Sequence, residues 1–387
     1  MIPAVVVTCA VTGLVLCGVA YNVLAIVAVM RFKRREHPPR DFTPPVSILK
    51  PIRGRDERFF EAIRSHAALD YPLFEIVFGI SLAGDPALED IARLEREFPR
   101  IPIRVIHTAN NAANGKAGSL EILAREARYD ILVVNDSDIL VEFSYLARVV
   151  SLLQPDDVGV VTCLYRAEAS SWAAKAEALG IVTEFAPSVL VARLLSSSAF
   201  ALGSTMAFRR SSLDAIGGFS ALRDYLADDY QLGARIARLN KRVVLADTVV
   251  ETHLGSGSVR DVWKHQLRWS RTVRVSRPAG YFGYVVTQIS FWSAIALAVG
   301  YPAIAASGFA VRLLAAAITL EKLDRRNLAF IAFVPLRDLF GMAVWLAGVF
   351  GSKVEWRGLH YRLHRNGTIS PVTENTFKPR INTDERR

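Results

Sequence analysis

Residues 4–30, AVVVTCAVTGLVLCGVAYNVLAIVAVM, carry no charged side chain. A helix of that length crosses the roughly 30 Å hydrocarbon core of a bilayer, which no ordinary water-soluble globule would carry on one element. A cleavable signal peptide would have a shorter apolar core, basic residues ahead of it and a small-residue cleavage site behind. Here the basic cluster Arg31, Lys33, Arg34 and Arg35 follows the apolar run, so the segment reads as an anchor. The positive-inside rule then puts the N-terminus outside and the chain from Arg31 onward in the cytoplasm, on a bacterial inner membrane.

A second apolar zone runs from about 284 to 350, interrupted by Arg312, by EKLDRR (321–326) and by PLRD (335–338). It predicts spans near 284–302 and 303–320 and a third element near 328–350, split by Pro335. Three crossings after a cytoplasmic domain would strand outside a tail that carries Lys353, Arg357, Arg362 and Arg365. One element is therefore expected to be re-entrant or interfacial, and the one with Arg337 and Asp338 is the candidate. The expected organisation is an anchor (1–32), a cytoplasmic catalytic domain (33–258), an amphipathic interface helix (259–282), C-terminal membrane helices (283–352) and a basic cytoplasmic tail (353–387).

Charge and cysteine usage narrow the partners. The chain has 47 Lys+Arg against 37 Asp+Glu, a net charge of +10, but the surplus flanks apolar spans, which points to anionic headgroups rather than nucleic acid. Cys9 and Cys17 fall inside the anchor and Cys163 in an apolar run, so neither a disulfide framework nor zinc spacing is visible.

Between residues 44 and 255, short apolar runs alternate with amphipathic stretches. VSILK (46–50), EIVFGISL (75–82), IRVIH (103–107) and DILVVN (130–135) read as strands, and ERFFEAIRSHAAL, PALEDIARLEREF and KAGSLEILAREA as helices between them. This is the pattern of a parallel α/β sheet, whose ligands bind beyond the carboxyl ends of the strands. DILVVNDSD (130–138) ends there on two carboxylates. On an extended chain Asp136 and Asp138 would face one side and share a cation with a diphosphate; a strand exit leading to an N-capped helix explains the same residues.

Other candidates have ordinary readings too. Asp85, in SLAGDPAL, fits a turn entering a helix, and Lys116, closing the loop NNAANGK, reaches either solvent or a phosphate. Asp228 and Asp229 open an amphipathic helix, where the dipole accounts for one and a general-base role for the other. The basic stretch VRDVWKHQLRWSRTVRVSRPAGY (259–281), with Trp263, Trp269 and Tyr281, suits the headgroup layer.

Taken in order, VSILKPIRG, NDSDI, GSTMAFRRSSLDAIGGF, LADDYQLG, HQLRWSRT and EWRGLHYRL resemble the family 2-like GT-A glycosyltransferases. Within them they are similar to the ceramide glucosyltransferase branch and the related bacterial hopanoid glycosyltransferases. The resemblance implies a Rossmann-like GT-A domain between membrane helices. It also implies a donor site that includes Pro51, Asp85 near the base or ribose, Lys116 and Asp136. Asp136 and Asp138 would hold Mg²⁺ or Mn²⁺ against the diphosphate, Asp229 would be the base, and Arg268 and Trp269 would close the Q/RxxRW motif. His265 stands where Gln or Arg is usual, which leaves that diphosphate contact open.

The implied reaction moves a sugar from a UDP-sugar to a membrane lipid, with glucose to ceramide leading and N-acetylglucosamine to a hopanoid polyol as the alternative. Residues 170–195 and the interface helix are the candidate acceptor groove, although 170–195 reads equally as a core helix. A non-catalytic lipid- or nucleotide-binding scaffold is the reading from another class. The presence of all four acids, Asp85, Asp136, Asp138 and Asp229, argues against it.

Overall fold

The computed structural model describes residues 4–32, 41–195 and 199–372. Lys33, Arg34 and Arg35 of the basic cluster, and the tail beyond residue 372, lie outside the described residues. Four strands match the alternating pattern: β1 (Val46–Ile52), β2 (Phe74–Ile80), β3 (Ile103–His107) and β4 (Ile131–Val134). Three more complete the sheet: β5 (Val158–Glu168), β6 (Met206–Arg209) and β7 (Arg242–His253). The order is β3-β2-β1-β4-β6-β5-β7, with β6 antiparallel to both neighbours and the other pairs parallel.

Side-chain alternation divides the core between the two faces. Ile48, Ile76, Phe78 and Val133 pack with Phe59, Ile63, Ile91 and Leu146, whereas Leu49, Val77, Leu132 and Val134 pack with Leu120, Leu123, Leu232 and Ile236. Burial on both faces is why these strands read as continuous apolar runs. Crossovers between parallel strands bring the loops after β1, β2 and β4 to one edge, and these carry Asp56, Asp85 and Asp136.

The anchor is one helix, Ala4–Arg31. It packs against a helical hairpin formed by Ile289–Ala298 and Pro302–Leu323. Thr8 meets the Tyr301 hydroxyl at one end, and Val29 and Phe32 join Leu320 and Leu323 at the other. Close approach depends on small residues, since a Cβ on Gly18 would come within 2.8 Å of Ile289 and one on Gly308 within 2.0 Å of the Ser293 hydroxyl.

Among the described residues, three helices are long and apolar enough to cross a membrane: Val6–Arg31, Pro302–Leu323 and Arg325–Val349. The span expected at 284–302 is instead broken. Pro278–Thr287 and Ile289–Ala298 meet at a 43° bend, and the ten-residue second part rises only about 15 Å. Pro335 falls where the last element changes character, from the 3-10 stretch Arg325–Phe333 to the α-helix Val334–Val349, in whose first turn its missing N–H is no loss.

One end of Arg325–Val349 is tied to the sheet and the other to the helix Val259–Ser276. Arg326 pairs with Glu168 and, at 2.8 Å, with Glu251; just past the other end Arg271 donates to the Phe350 carbonyl at 3.2 Å. Between them Val334–Val349 lies along Val259–Ser276, with Trp263 against Phe340.

Three of the charges that interrupt the apolar zone, Arg312, Arg337 and Asp338, point inward and are matched. Arg312 grips Asp338 with two bonds, 2.7 and 2.9 Å, and donates to the Thr183 carbonyl at 3.1 Å; Ser290 also donates to Asp338, and Arg337 pairs with Glu184. Arg337 lies over Gly180 and Gly341, where a Cβ would come within 2.0 and 2.5 Å of its guanidinium.

The segment expected as a tail begins as a small sheet, β8 (Lys353–Trp356), β9 (Leu359–Leu363) and β10 (Ile369–Pro371), all antiparallel. The Ile369 amide donates to Asp224 at 2.7 Å, so this sheet docks beside the helix that opens on Asp228.

Candidate active site

Beyond the strand ends lies a cavity of about 1050 Å³. Its wall includes Asp56, Lys116, Asp136, Asp138, Asp228, Asp229, His265, Arg268 and Trp269, and it continues to Tyr21, Glu184, Arg312, Arg337 and Asp338 among the membrane helices.

Asp136 and Asp138 follow β4 in a turn rather than on an extended chain, with the Ile139 amide donating to the Asp136 carbonyl at 3.4 Å. The next helix starts only at Tyr145, so Asp138 caps nothing. Asp136 meets Lys116 Nζ at 2.6 Å. Asp138 accepts from the Thr252 hydroxyl on β7, and burial together with the Asp136 and Asp56 charges raises its carboxyl above the ordinary value.

Asp229 lies in the first turn of Asp228–Arg238, where its two oxygens accept from the Gly203 amide (2.8 Å) and the Tyr230 amide (2.7 Å). A Cβ at Gly203 would sit 3.1 Å from the Asp229 carboxylate and 3.6 Å from that of Asp136, so both acids close on the same bare patch of backbone. Burial and the adjoining Asp228 push Asp229 up to about 6, against the opposing charge of Lys116.

Lys116 is neither a solvated lysine nor part of a loose loop. Asn114 caps its helix by accepting from the Ala117 amide at 3.0 Å and also donates to Asp228 at 3.3 Å. Burial alone would lower the Lys116 ammonium, but Asp136 and Asp228 outweigh it and raise it.

Arg268, on Val259–Ser276, is half-buried. Burial lowers its guanidinium, offset by Asp136 and Glu177. Among the described residues it has no ion-pair partner and no side-chain hydrogen bond. A cation aimed unpaired into a cavity of acids is poised for an anion. Trp269 packs on Phe185 and on His265, the His265 and Trp269 ring centroids lying 4.5 Å apart. His265 is turned to the buried Glu177, with 2.6 Å between its Nδ1 and an oxygen to which Gln266 also donates at 2.8 Å. The residue that departs from the motif thus tethers the interface helix to Trp172–Gly180. Residues 170–195 hold a π-helical turn, Ile181–Phe185, which turns Glu184 toward the cavity.

Two sequence candidates do not line the cavity. Asp85 spends its oxygens on the backbone, accepting from Gly54 at 2.8 Å and Ala87 at 3.0 Å, and Pro51 is buried within β1. By holding Gly54, Asp85 fixes the loop that delivers Asp56, which accepts from Ser137 at 2.9 Å. Sequence reasoning missed Asp56 and Lys50. Lys50 lies fully buried beneath the acids and donates to the Asp136 carbonyl at 3.0 Å; burial lowers it to about 7 despite Asp138 and Asp136. Its signal was a lysine inside the otherwise apolar VSILKPI.

Comparison with known proteins gives this geometry a context. The family model for glycosyl transferase family 21 matches residues 10–369. Ceramide glucosyltransferase 1 of Caenorhabditis elegans is 26% identical over 226 residues, covering 57% of this chain and 48% of that protein. Ceramide glucosyltransferase of Komagataella phaffii is 29% identical over 146 residues, covering 34% and 29%. The match to the nematode protein therefore spans about half of its length. Among solved structures, the mannosyltransferase PcManGT from Pyrobaculum calidifontis, in complex with GDP-Man and Mn²⁺, superposes with a TM-score of 0.54 at 19% identity. That match covers 88% of this chain and 98% of that one, and the shared fold is GT-A.

Proposed function

Since the chain belongs to glycosyl transferase family 21, we propose that it moves a sugar from a UDP-sugar to a lipid hydroxyl, with glucose to ceramide the leading assignment. The observation that carries this reading is one cavity wall. Asp136, Asp138 and Asp229, from two distant segments, meet Lys116 and Arg268 there, and the same cavity continues between membrane helices.

The donor set fits a hard divalent cation such as Mg²⁺ or Mn²⁺. Among the described residues no three His, Cys, Asp or Glu groups form a ready-made metal cage. Two crowded carboxylates, one of them raised by its neighbours, suit an ion that takes its remaining oxygens from phosphates and water. Held by Asp136 and Asp138, the ion would neutralise charge on the leaving diphosphate. Lys116 and Arg268 stabilise the same charge from the protein side.

Asp229 accepts the proton of the lipid hydroxyl. As that oxygen bonds to the anomeric carbon, the bond from this carbon to the diphosphate breaks and UDP departs, which inverts the configuration. A carboxyl near 6 suits a base working at neutral pH, because it is ionised yet more basic than an ordinary aspartate. The water-soluble donor reaches the site from the cytoplasmic face, and the lipid enters between the membrane helices and residues 170–195. Stretches such as VVTCLYR, FAPSVLVA and HQLRWSRT favour, as a second reading, N-acetylglucosamine transfer to a hopanoid polyol.

The test is Asp229→Asn. Glycolipid formation should fall by at least about a hundredfold, the range of lost base catalysis, while UDP still binds with Mn²⁺; retained turnover would remove Asp229 from the role.

A further inference from the structure

The motif EWRGLHYRL is not used by the mechanism above, yet the structure brings it to the cavity. Trp356 and Leu359 pair across β8 and β9, leaving Arg357 and Gly358 as a two-residue hairpin turn. Both adopt left-handed backbone, with φ of 50° and 76°. Such turns favour Asn-Gly, because a Cβ in that region costs energy. An arginine there has a backbone reason against it, so its side chain is the place to look for a use.

That side chain lines the cavity. Arg357 lines the wall beside Trp356 and Glu355, and its guanidinium donates at 3.3 Å to the carbonyl of Arg53, in the loop after β1 that Asp85 holds. It comes near enough to Arg268 for the two charges to repel, and it has no carboxylate partner among the described residues. Both guanidinium groups line the same cavity without an ion-pair partner among the described residues, so an anion entering it can draw charge-assisted hydrogen bonds from either.

The hairpin is braced to hold this position. Val354, Tyr361, Leu363 and Ile369 pack with Leu226, two residues before Asp228, with Ala113, just ahead of the Lys116 helix, and with Val275 of the interface helix. Lys264 pairs with Glu355 at 2.8 Å, and the Leu226 amide donates to Gly367 at 3.3 Å. The small sheet thus touches every segment that supplies a catalytic-site cation or base.

We propose that Arg357 is a donor-binding residue that closes on the diphosphate of the sugar nucleotide opposite Arg268, with the C-terminal sheet as its strap. The proposal rests on the sugar-nucleotide reading above and gives that site a ligand from the far end of the chain.

Isothermal titration of the full-length protein in detergent, with Mn²⁺ present, tests it with UDP and UMP as probes. Arg357→Ala and Arg357→Asn are the variants, and Asn suits the left-handed turn better than Arg does. Loss of a charge-assisted contact predicts UDP binding about 10- to 100-fold weaker in both, with a much smaller change for UMP. Variants that keep UDP affinity within about twofold, or that lose UDP and UMP equally, would overturn it. Failure of the unsubstituted protein to bind UDP at all would instead overturn the donor assignment, and this proposal with it.

Discussion

Replacing Asp229 by Asn removes a charge from a place where the fold has gathered Asp136, Asp138 and Asp228 as well. The carboxyl moves from an ordinary 3.8 to about 6 on folding. At about 1.4 kcal/mol per pH unit, the ionised form therefore destabilises the fold by about 3 kcal/mol. That cost applies in full above about pH 6. It fades as the pH falls toward the unfolded value, because the folded carboxyl takes up a proton before the unfolded one does. Asn carries no such charge, but it has one acceptor oxygen for two donors, the Gly203 and Tyr230 amides, and leaving one unmet costs about 1–2 kcal/mol. The net expectation is a variant about 1–2 kcal/mol more stable than the parent at about pH 8, an advantage that shrinks or reverses by about pH 4.5. Unfolding followed by tryptophan fluorescence in EDTA reads this directly, since a bound cation would mask the repulsion. A variant less stable at both pH values, or a difference independent of pH, would refute the electrostatic account of this aspartate.

Two further outcomes follow from the membrane half. Asp338→Ala leaves Arg312 buried without its partner and should cost about 3–5 kcal/mol, seen as earlier aggregation on heating, whereas the apolar double change, Arg312→Met with Asp338→Leu, should recover most of it; an equally unstable double variant would contradict a simple pair. A reporter fused after Arg387 should read on the same side of the membrane as one inserted near residue 41, because β8–β10 dock on the catalytic domain, and opposite sides would break the topology.

The first half of the sheet was legible because β1 to β4 are buried on both faces and separated by amphipathic helices, so that apolar runs and 3.6-residue periods alternate cleanly. β6 was not, since four residues that pair with β4 and β5 give no local pattern of their own. Asp136, Asp138 and Asp229 stood out as acids at strand and helix ends. Gly203, on which Asp136 and Asp229 converge, carries no side chain and no periodic signal, and only the tertiary fold brings it between them. Asp85 reads like its neighbours in sequence but is consumed by backbone amides. The charges in the apolar zone were visible in the sequence, yet two of their partners, Glu184 and Thr183, lie some 130 to 150 residues away, which no local reading reaches. The broken span at Gln288 and the small C-terminal sheet were hidden for the same reason: a bend and a docking surface are set by what they pack against.

The most direct measurement is mass spectrometry of lipids formed by the purified protein with Mn²⁺, given UDP-glucose and UDP-N-acetylglucosamine together with ceramide and a hopanoid polyol. A hexosylceramide made by the parent and not by Asp229→Asn is the predicted result, and an N-acetylhexosaminyl hopanoid would keep the mechanism while changing both substrates. UDP binding without any glycolipid product from these lipids would contradict lipid glycosylation as the role of this site.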